Sequence, residues 1–245
     1  MQATTIEGQL STAERNHITR AIRQANRKPL VCLEVGTWLG GGSTLHILKA
    51  LEENGAGHLW RIEADSAIYE RMVANLRAAF PQSANQFTPL FGLSQNVLPE
   101  WLRSLGSAGT VDFVFLDGGN NPAEQILEFR LLDPHMPVGS QLMAHDACVR
   151  KGKWLVPYLM RLDNWECALL DGSSVGLFYA RKIGAQPSPA SQRRANRHLL
   201  RQRLHPVELA AAILPAPMRT RLAAWLPRLV HWYTARSGRA RAGRT

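Results

Sequence analysis

The residues best able to do chemistry sit at two acidic strand ends. The run VDFVFLDG closes an apolar, strand-like stretch on Asp117, and GSQLMAHDACVR closes another on His145 and Asp146. Two carboxylates beside an imidazole can hold a divalent cation or orient and deprotonate a hydroxyl. Mg2+ prefers oxygen ligands, whereas a histidine in the set suits Mn2+ or Fe2+ better. With an ordinary pKa of about 6.5, the imidazole can act as a base instead. The same acids also read as strand-end caps without a metal.

A second constellation lies earlier, in VCLEVGTWLGGGSTLHIL, residues 31 to 48. An apolar run ends near Glu34, breaks into a glycine-rich turn and resumes with helical spacing. Such a strand-to-helix turn lets a ligand approach the backbone and the amides at a helix start. The plain alternative is a tight turn that only permits packing. Glu63, which closes the next apolar run 27 residues after Gly36, favours a ligand. An acid there can accept hydrogen bonds from ribose hydroxyls. The Gly36-to-Gly40 spacing is not the G-x-G-x-x-G of a dinucleotide pyrophosphate site, so a nucleoside cofactor without phosphates fits better.

The elements that position these residues alternate. Strands are expected at Leu30–Val35, His58–Glu63, Phe87–Phe91, Val111–Leu116, Gln141–Ala144, Glu166–Leu170 and Val175–Ala180. Helices are expected from Ser11 or Thr12, around Ser43–Asn54, Ala67–Phe80, Val97–Leu105, Ala123–Leu132 and Lys153–Leu162. This alternation predicts an α/β fold: a doubly wound, mostly parallel seven-stranded sheet, with a C-terminal antiparallel hairpin turning at Asp171-Gly172. Lys151, Lys153 and Trp154 read as a solvated helix start with the tryptophan packed on the body, the alternative being a rim for an anionic or aromatic substrate.

The chain has 245 residues, 45% of them hydrophobic, enough for one core and an appendage. Its net charge of +10 is unevenly spread: residues 184–245 carry twelve Arg, no Lys and one acid, while the first 183 carry 17 bases and 18 acids. The expected domains are therefore 1–183, the folded body, and 184–245, a basic, Arg/Pro/Ala-rich helical tail. In that tail Leu222, Trp225, Leu229 and Trp232 recur at helical spacing among Arg219, Arg221, Arg228 and Arg236. Such a stripe can lie on an anionic membrane surface, or pack on the body or on a second subunit of a homo-oligomer. Nucleic acid is the weaker partner, because the body is neutral. Cys32, Cys148 and Cys167 show no metal-type pairing and read as free thiols. MQATTIEGQL lacks an apolar core of signal-peptide length, and no run approaches a membrane span. The expected location is cytoplasmic, peripheral at the membrane where the tail binds it.

In chain order, LEVGTWLGGGS, RIEADS, FGLSQNVLPEW and VDFVFLDG resemble successive motifs of class I S-adenosylmethionine-dependent methyltransferases. The likeness is greatest to the catechol O-methyltransferase-like group and related small-molecule and sugar O-methyltransferases, over about residues 11 to 183. The resemblance implies a Rossmann-like methyltransferase fold and S-adenosylmethionine as cofactor. It implies that Gly36, Gly40 and Ser43 hold the methionine end, with Glu34 orienting the loop or the cofactor amine. Glu63 would bind the ribose, Ser94 and Gln95 would lie near the adenine, and Asp117 would touch both cofactor and metal. The implied metal ligands are Asp117, His145 and Asp146, holding Mg2+ or Mn2+, and the same three would be catalytic. The implied reaction is metal-assisted O-methylation of a hydroxylated small molecule or saccharide. An RNA methyltransferase and a non-catalytic cofactor-binding module are the alternatives.

The chain departs from that group in two places. Its loop serine stands one place late, at Ser43. Asn120 occupies the position of a catalytic lysine or histidine and cannot take a proton. Deprotonation would then fall to His145, to another histidine such as His135, or to the metal alone.

Overall fold

Ser11 Oγ accepts from the Glu14 amide while the Glu14 carboxylate accepts from the Ser11 amide, a reciprocal cap that starts α1 (Thr12–Arg23). Ile18 and Ile22 bury the inner stripe of this helix. In this computed structural model the described residues are 6–25, 28–79, 84–106, 109–172 and 174–205. They continue through β1 (Val31–Val35), α2 (Ser43–Asn54), β2 (His58–Glu63), α3 (Ser66–Ala79), β3 (Phe87–Phe91), α4 (Ser94–Ser104) and β4 (Phe113–Leu116). There follow α5 (Pro122–Leu132), β5 (Gln141–His145), α6 (Leu155–Leu159), β6 (Trp165–Leu170), β7 (Leu177–Lys182) and α7 (Pro189–Arg203).

The seven strands form one sheet in the order β3-β2-β1-β4-β5-β7-β6. β1 to β5 are parallel, and β7 runs antiparallel to both β5 and β6. This is the doubly wound sheet with a closing hairpin that the alternation predicts. On one face, Cys32, Leu59, Phe113 and Phe115 pack with Ile47, Leu48 and Leu51 of α2 and Met72 and Leu76 of α3, beneath α1. On the other face, Trp60 meets Trp101 of α4, and Phe129 of α5 meets Tyr158 and Trp165. The direction of winding reverses between β1 and β4, so their C-terminal ends open a crevice, the usual ligand position in such sheets.

Two expectations shift. The helix expected at Lys153–Leu162 shortens to Leu155–Leu159, because a 3-10 turn at Lys151–Lys153 precedes it and Pro157 lacks an amide hydrogen. The packed body also runs past residue 183. Gly184 donates its amide to Asn164 O, and Asp163 accepts from the Ser188 amide and the Ser191 hydroxyl. The first compact unit thus spans Met1–His198. The second, Leu199–Thr245, is described only to His205, and the stripe from Leu222 to Trp232 lies outside the described residues. Among the described residues no helix is long and apolar enough to cross a membrane. Cys32 is a buried free thiol, Cys167 a half-buried one and Cys148 an exposed one.

Gly36 shows how tightly the crevice is built. It has φ +78°, and a Cβ there would lie 2.5 Å from the Gly118 amide nitrogen at the end of β4. Gly36→Ala should therefore cost about 2–4 kcal/mol in urea unfolding, from backbone strain plus overlap. Gly55→Ala, at φ +66° with nothing within 4 Å, should cost only about 1 kcal/mol. Equal losses in the two variants would contradict this packing.

Candidate functional site

A cavity of about 710 Å³ occupies the crevice. The predicted residues Gly36, Ser43, Glu63, Ser94, Gln95, Asp117, His145 and Asp146 all line it; Glu34 and Gly40 do not. Glu34 is wholly buried beneath the glycine turn, where its two carboxylate oxygens accept from the hydroxyls of Ser43 and Thr44. That contact ties the first turn of α2, which begins after Gly42 with no side-chain cap, to the end of β1. Of the two implied roles for Glu34, the geometry supports orienting the loop. Its strand neighbour in register is Arg61, also fully buried, whose guanidinium lies over the Phe87 ring.

The glycines have a different occupant from the expected one. Gly41 donates its amide to Glu7 O, and a Cβ on Gly41 would lie 2.1 Å from Ile6 O. The chain's own segment from Ile6 to Leu10 therefore lies along the turn, and Gln9 and Leu10 reach the cavity wall. Gly40 faces Leu76 of α3. The room gained at Gly40 and Gly41 goes to backbone and core packing, leaving Gly36 and Ser43 on the cavity side.

At the β2 end, Glu63 Oε1 accepts from the amides of Ala64 and Asp65, at 2.9 and 3.0 Å. Its Oε2 accepts from the Thr37 amide at 3.2 Å, which fixes the carboxylate at the mouth of the glycine turn. Deeper in, Ser94 donates to Glu128 Oε1 at 2.6 Å. Glu128 is 1% exposed and lines the cavity, yet its Oε2 has no partner among the described residues. Burial raises its carboxyl pKa to about 7, against the opposing Ser94 hydrogen bond. A buried acceptor facing a cavity with nothing to accept from fits a ligand that brings an N–H or O–H.

At the β4 and β5 ends, Asp117, His145 and Asp146 converge, with potential ligand atoms within 4.8 Å of one another. His145 Nδ1 lies 3.3 Å from Asp117 Oδ1 and 3.5 Å from Asp146 Oδ1, and its Nε2 lies 3.1 Å from Glu14 Oε1. Burial lowers the His145 pKa; the hydrogen bond to Asp117 and the charges of Asp117, Asp146 and Glu14 outweigh it and leave a net rise. Both ring nitrogens face carboxylates, as suits an imidazolium.

Lys151, expected in solvent, is 4% exposed. Its ammonium donates to Asp117 Oδ1 at 2.7 Å, Asp117 O at 2.8 Å and Asp146 Oδ2 at 3.3 Å. Trp154 packs on the body as expected. Asp146 itself sits at φ +59°, and Trp38 on the cavity wall at φ +45°, conformations that non-glycine residues hold at a cost and that cluster at functional sites. Asn120 lines the cavity, whereas His135 lies at the opposite end of the sheet, its carbonyl accepting from Val111 ahead of β4, and so is no candidate base.

Three residues escape the motif reading: Glu14, Glu128 and Lys151. Glu14 carries a local signal as the fourth residue of the capping sequence Ser11-Thr-Ala-Glu14, but nothing in that sequence points to His145. Glu128 and Lys151 carry no local signal, since helical burial and a reversed turn bring them in.

Residues 33–147 match the family model of a methyltransferase domain. Among solved structures, the O-methyltransferase TomG of Streptomyces achromogenes, involved in tomaymycin synthesis and bound to S-adenosylmethionine, is 18% identical with a TM-score of 0.59, over 72% of this chain and 82% of that one. An O-methyltransferase of Bacillus cereus bound to S-adenosylhomocysteine is 17% identical with a TM-score of 0.57, over 71% of this chain and 82% of that one. No curated protein matches the chain. The likeness to these structures shows a Rossmann-like class I methyltransferase fold, as the motif run implies, and the matched stretch runs from the glycine turn to the His145 and Asp146 strand end.

The buried acid under the turn makes a pH-dependent prediction. Burial raises the Glu34 carboxyl from 4.5 to about 7, against the pull of Ser43, Thr44 and Arg61. Because the folded value is the higher one, its stabilisation is complete below about pH 4.5 and is lost as pH rises through about 7. Between about pH 5 and pH 8 the wild type should lose on the order of 2 kcal/mol relative to Glu34→Gln in urea unfolding. A difference that stays flat or changes in the other direction would contradict it.

Proposed function

We propose that the protein transfers a methyl group from S-adenosylmethionine to an oxygen of a hydroxylated small molecule or saccharide. The observation that carries the reading is one cavity at the β1/β4 reversal, with Glu63 and the orphaned Glu128 acceptor at one end and the Asp117, His145 and Asp146 corner at the other. In this reading Glu63 accepts from the ribose hydroxyls and Glu128 Oε2 from the adenine amine, beside Ser94 and Gln95. Gly36 and Ser43 face the methionine portion.

When bound, S-adenosylmethionine supplies a methyl carbon on a cationic sulfur, which keeps the electron pair of the broken C–S bond as the acceptor oxygen forms the C–O bond. The chain's part is alignment and removal of one proton. Asp117 and Asp146, each about a quarter exposed, face the cavity and can hold the acceptor hydroxyl. With both nitrogens of His145 engaged, the hydroxyl proton passes to the Asp146 carboxylate, while His145 and Glu14 hold the corner in place. A divalent ion between the two aspartates would supply Lewis-acid assistance; the ligand spacing suits it, but Lys151 already lies between them.

Calorimetry with S-adenosylmethionine tests the cofactor assignment. The wild type should bind saturably and Glu63→Ala at least about tenfold more weakly, since a hydrogen bond to a charged group is lost. Mass spectrometry of a polyphenol and saccharide panel should then show a methylated product. Absence of saturable binding by the folded wild type would overturn the proposal. Binding without product across the panel would favour a non-catalytic module.

A further inference from the structure

The acceptor corner has a built-in cation. The chain leaves β5 at His145, takes a left-handed turn at Asp146 and doubles back so that the Gly152 amide donates to Asp146 O at 3.2 Å. The turn has no room for a side chain at Gly152, where a Cβ would lie 2.4 Å from Ala147 O. Hydrogen bonds from the Ala147 and Cys148 amides to Gly176 and Val175 tie the same segment to the start of β7. The result is a rigid reversal that carries Lys151 inward over the strand ends.

The Lys151 ammonium has three N–H groups, and three oxygens receive them: Asp117 Oδ1, the Asp117 carbonyl and Asp146 Oδ2. Those two carboxylates are the oxygen donors of the only three-residue group with metal-ligand spacing among the described residues. The ammonium and a divalent ion bound there would compete for the same oxygens and repel each other. A buried lysine held by two acids and a carbonyl is a paired charge.

We propose that Lys151 takes the place of a divalent cation in this corner: its ammonium neutralises and aligns Asp117 and Asp146, and the site works without a metal ion. The proposal deepens the reading of the cavity as a methyl-transfer site and rests on it. Lys151 is here a positioning residue, acting on the acceptor through the two carboxylates. It follows that the acceptor is held by hydrogen bonds to carboxylate oxygens. An isolated hydroxyl, as in an alcohol or saccharide, suffices, and chelation by two neighbouring oxygens, as a catechol offers a metal, is not required.

Electron paramagnetic resonance of Mn2+ titrated into the full chain separates the possibilities, because it reads the metal without turnover. Wild type should show no Mn2+ bound at the corner up to millimolar ion. Lys151→Ala should bind Mn2+ at least about tenfold more tightly, with the gain removed by adding Asp117→Asn, as expected when a competing buried charge is deleted. Methyl transfer by the wild type should be unchanged by EDTA. Tight Mn2+ binding by the wild type that Asp117→Asn abolishes would overturn the proposal. Failure of folded Lys151→Ala to bind Mn2+ would overturn it too, since the place would then not be a cation site. Lys151→Met, close in length and uncharged, serves if the alanine variant does not fold. Calorimetry with S-adenosylmethionine on the same samples shows separately whether the cofactor reading stands.

Discussion

A carboxylate with no access to water sets the geometry of the glycine-turn end of the cavity. Glu34 lies next to the end of β1, an interior strand, and burial would be prohibitive for it without compensation. Three groups supply that compensation: the hydroxyls of Ser43 and Thr44, and the charge of Arg61 on the neighbouring strand. Satisfying Glu34 requires the first turn of α2 to sit directly above the strand end. The glycine turn must then make its reversal in little space, with Gly36 against the end of β4. From that single anchoring follow the start of α2, the position of Thr37 and the hydrogen bond that holds Glu63 at the turn.

The opposite end of the cavity is held by alternating charge. Glu14, His145, Asp117, Lys151 and Asp146 form a chain of acid, base, acid, base, acid, each within hydrogen-bond or ion-pair distance of the next. Such a chain fixes side chains that would otherwise repel or wander. Counting Glu63, Glu124 and Glu128, carboxyl groups outnumber cationic ones along the cavity wall. A ligand carrying a positive centre is welcome there, and one carrying phosphates is not.

Much of this was legible in the sequence because it is local. Strand ends at Val35, Glu63 and Leu116 follow from apolar runs that stop at an acid or a glycine, and the register carries Glu34, Glu63 and Asp117 to the same edge of the sheet. What was not legible depends on reversals and distant packing. Lys151 looks like any basic residue before a helix; only the left-handed Asp146 and the crowding at Gly152 turn it inward. The glycines at 40 and 41 signal close approach, but a motif cannot say whether the neighbour is a ligand or, as here, Leu76 and the carbonyl of Ile6. Glu14 announces a helix start and conceals its second bond, to His145.

That second bond joins residues 131 positions apart. During synthesis, α1 leaves the ribosome long before β5 exists, so the acid that will steady His145 must wait for most of the body. A chain interrupted before Lys151 would lack the ammonium as well, and its paired aspartates would face each other unshielded. A partly made chain thus lacks the full run of alternating charges, which closes only once β5 and the turn to Lys151 are in place. If the cavity is the methyl-transfer site proposed above, its acceptor corner is therefore the last part of it to be assembled.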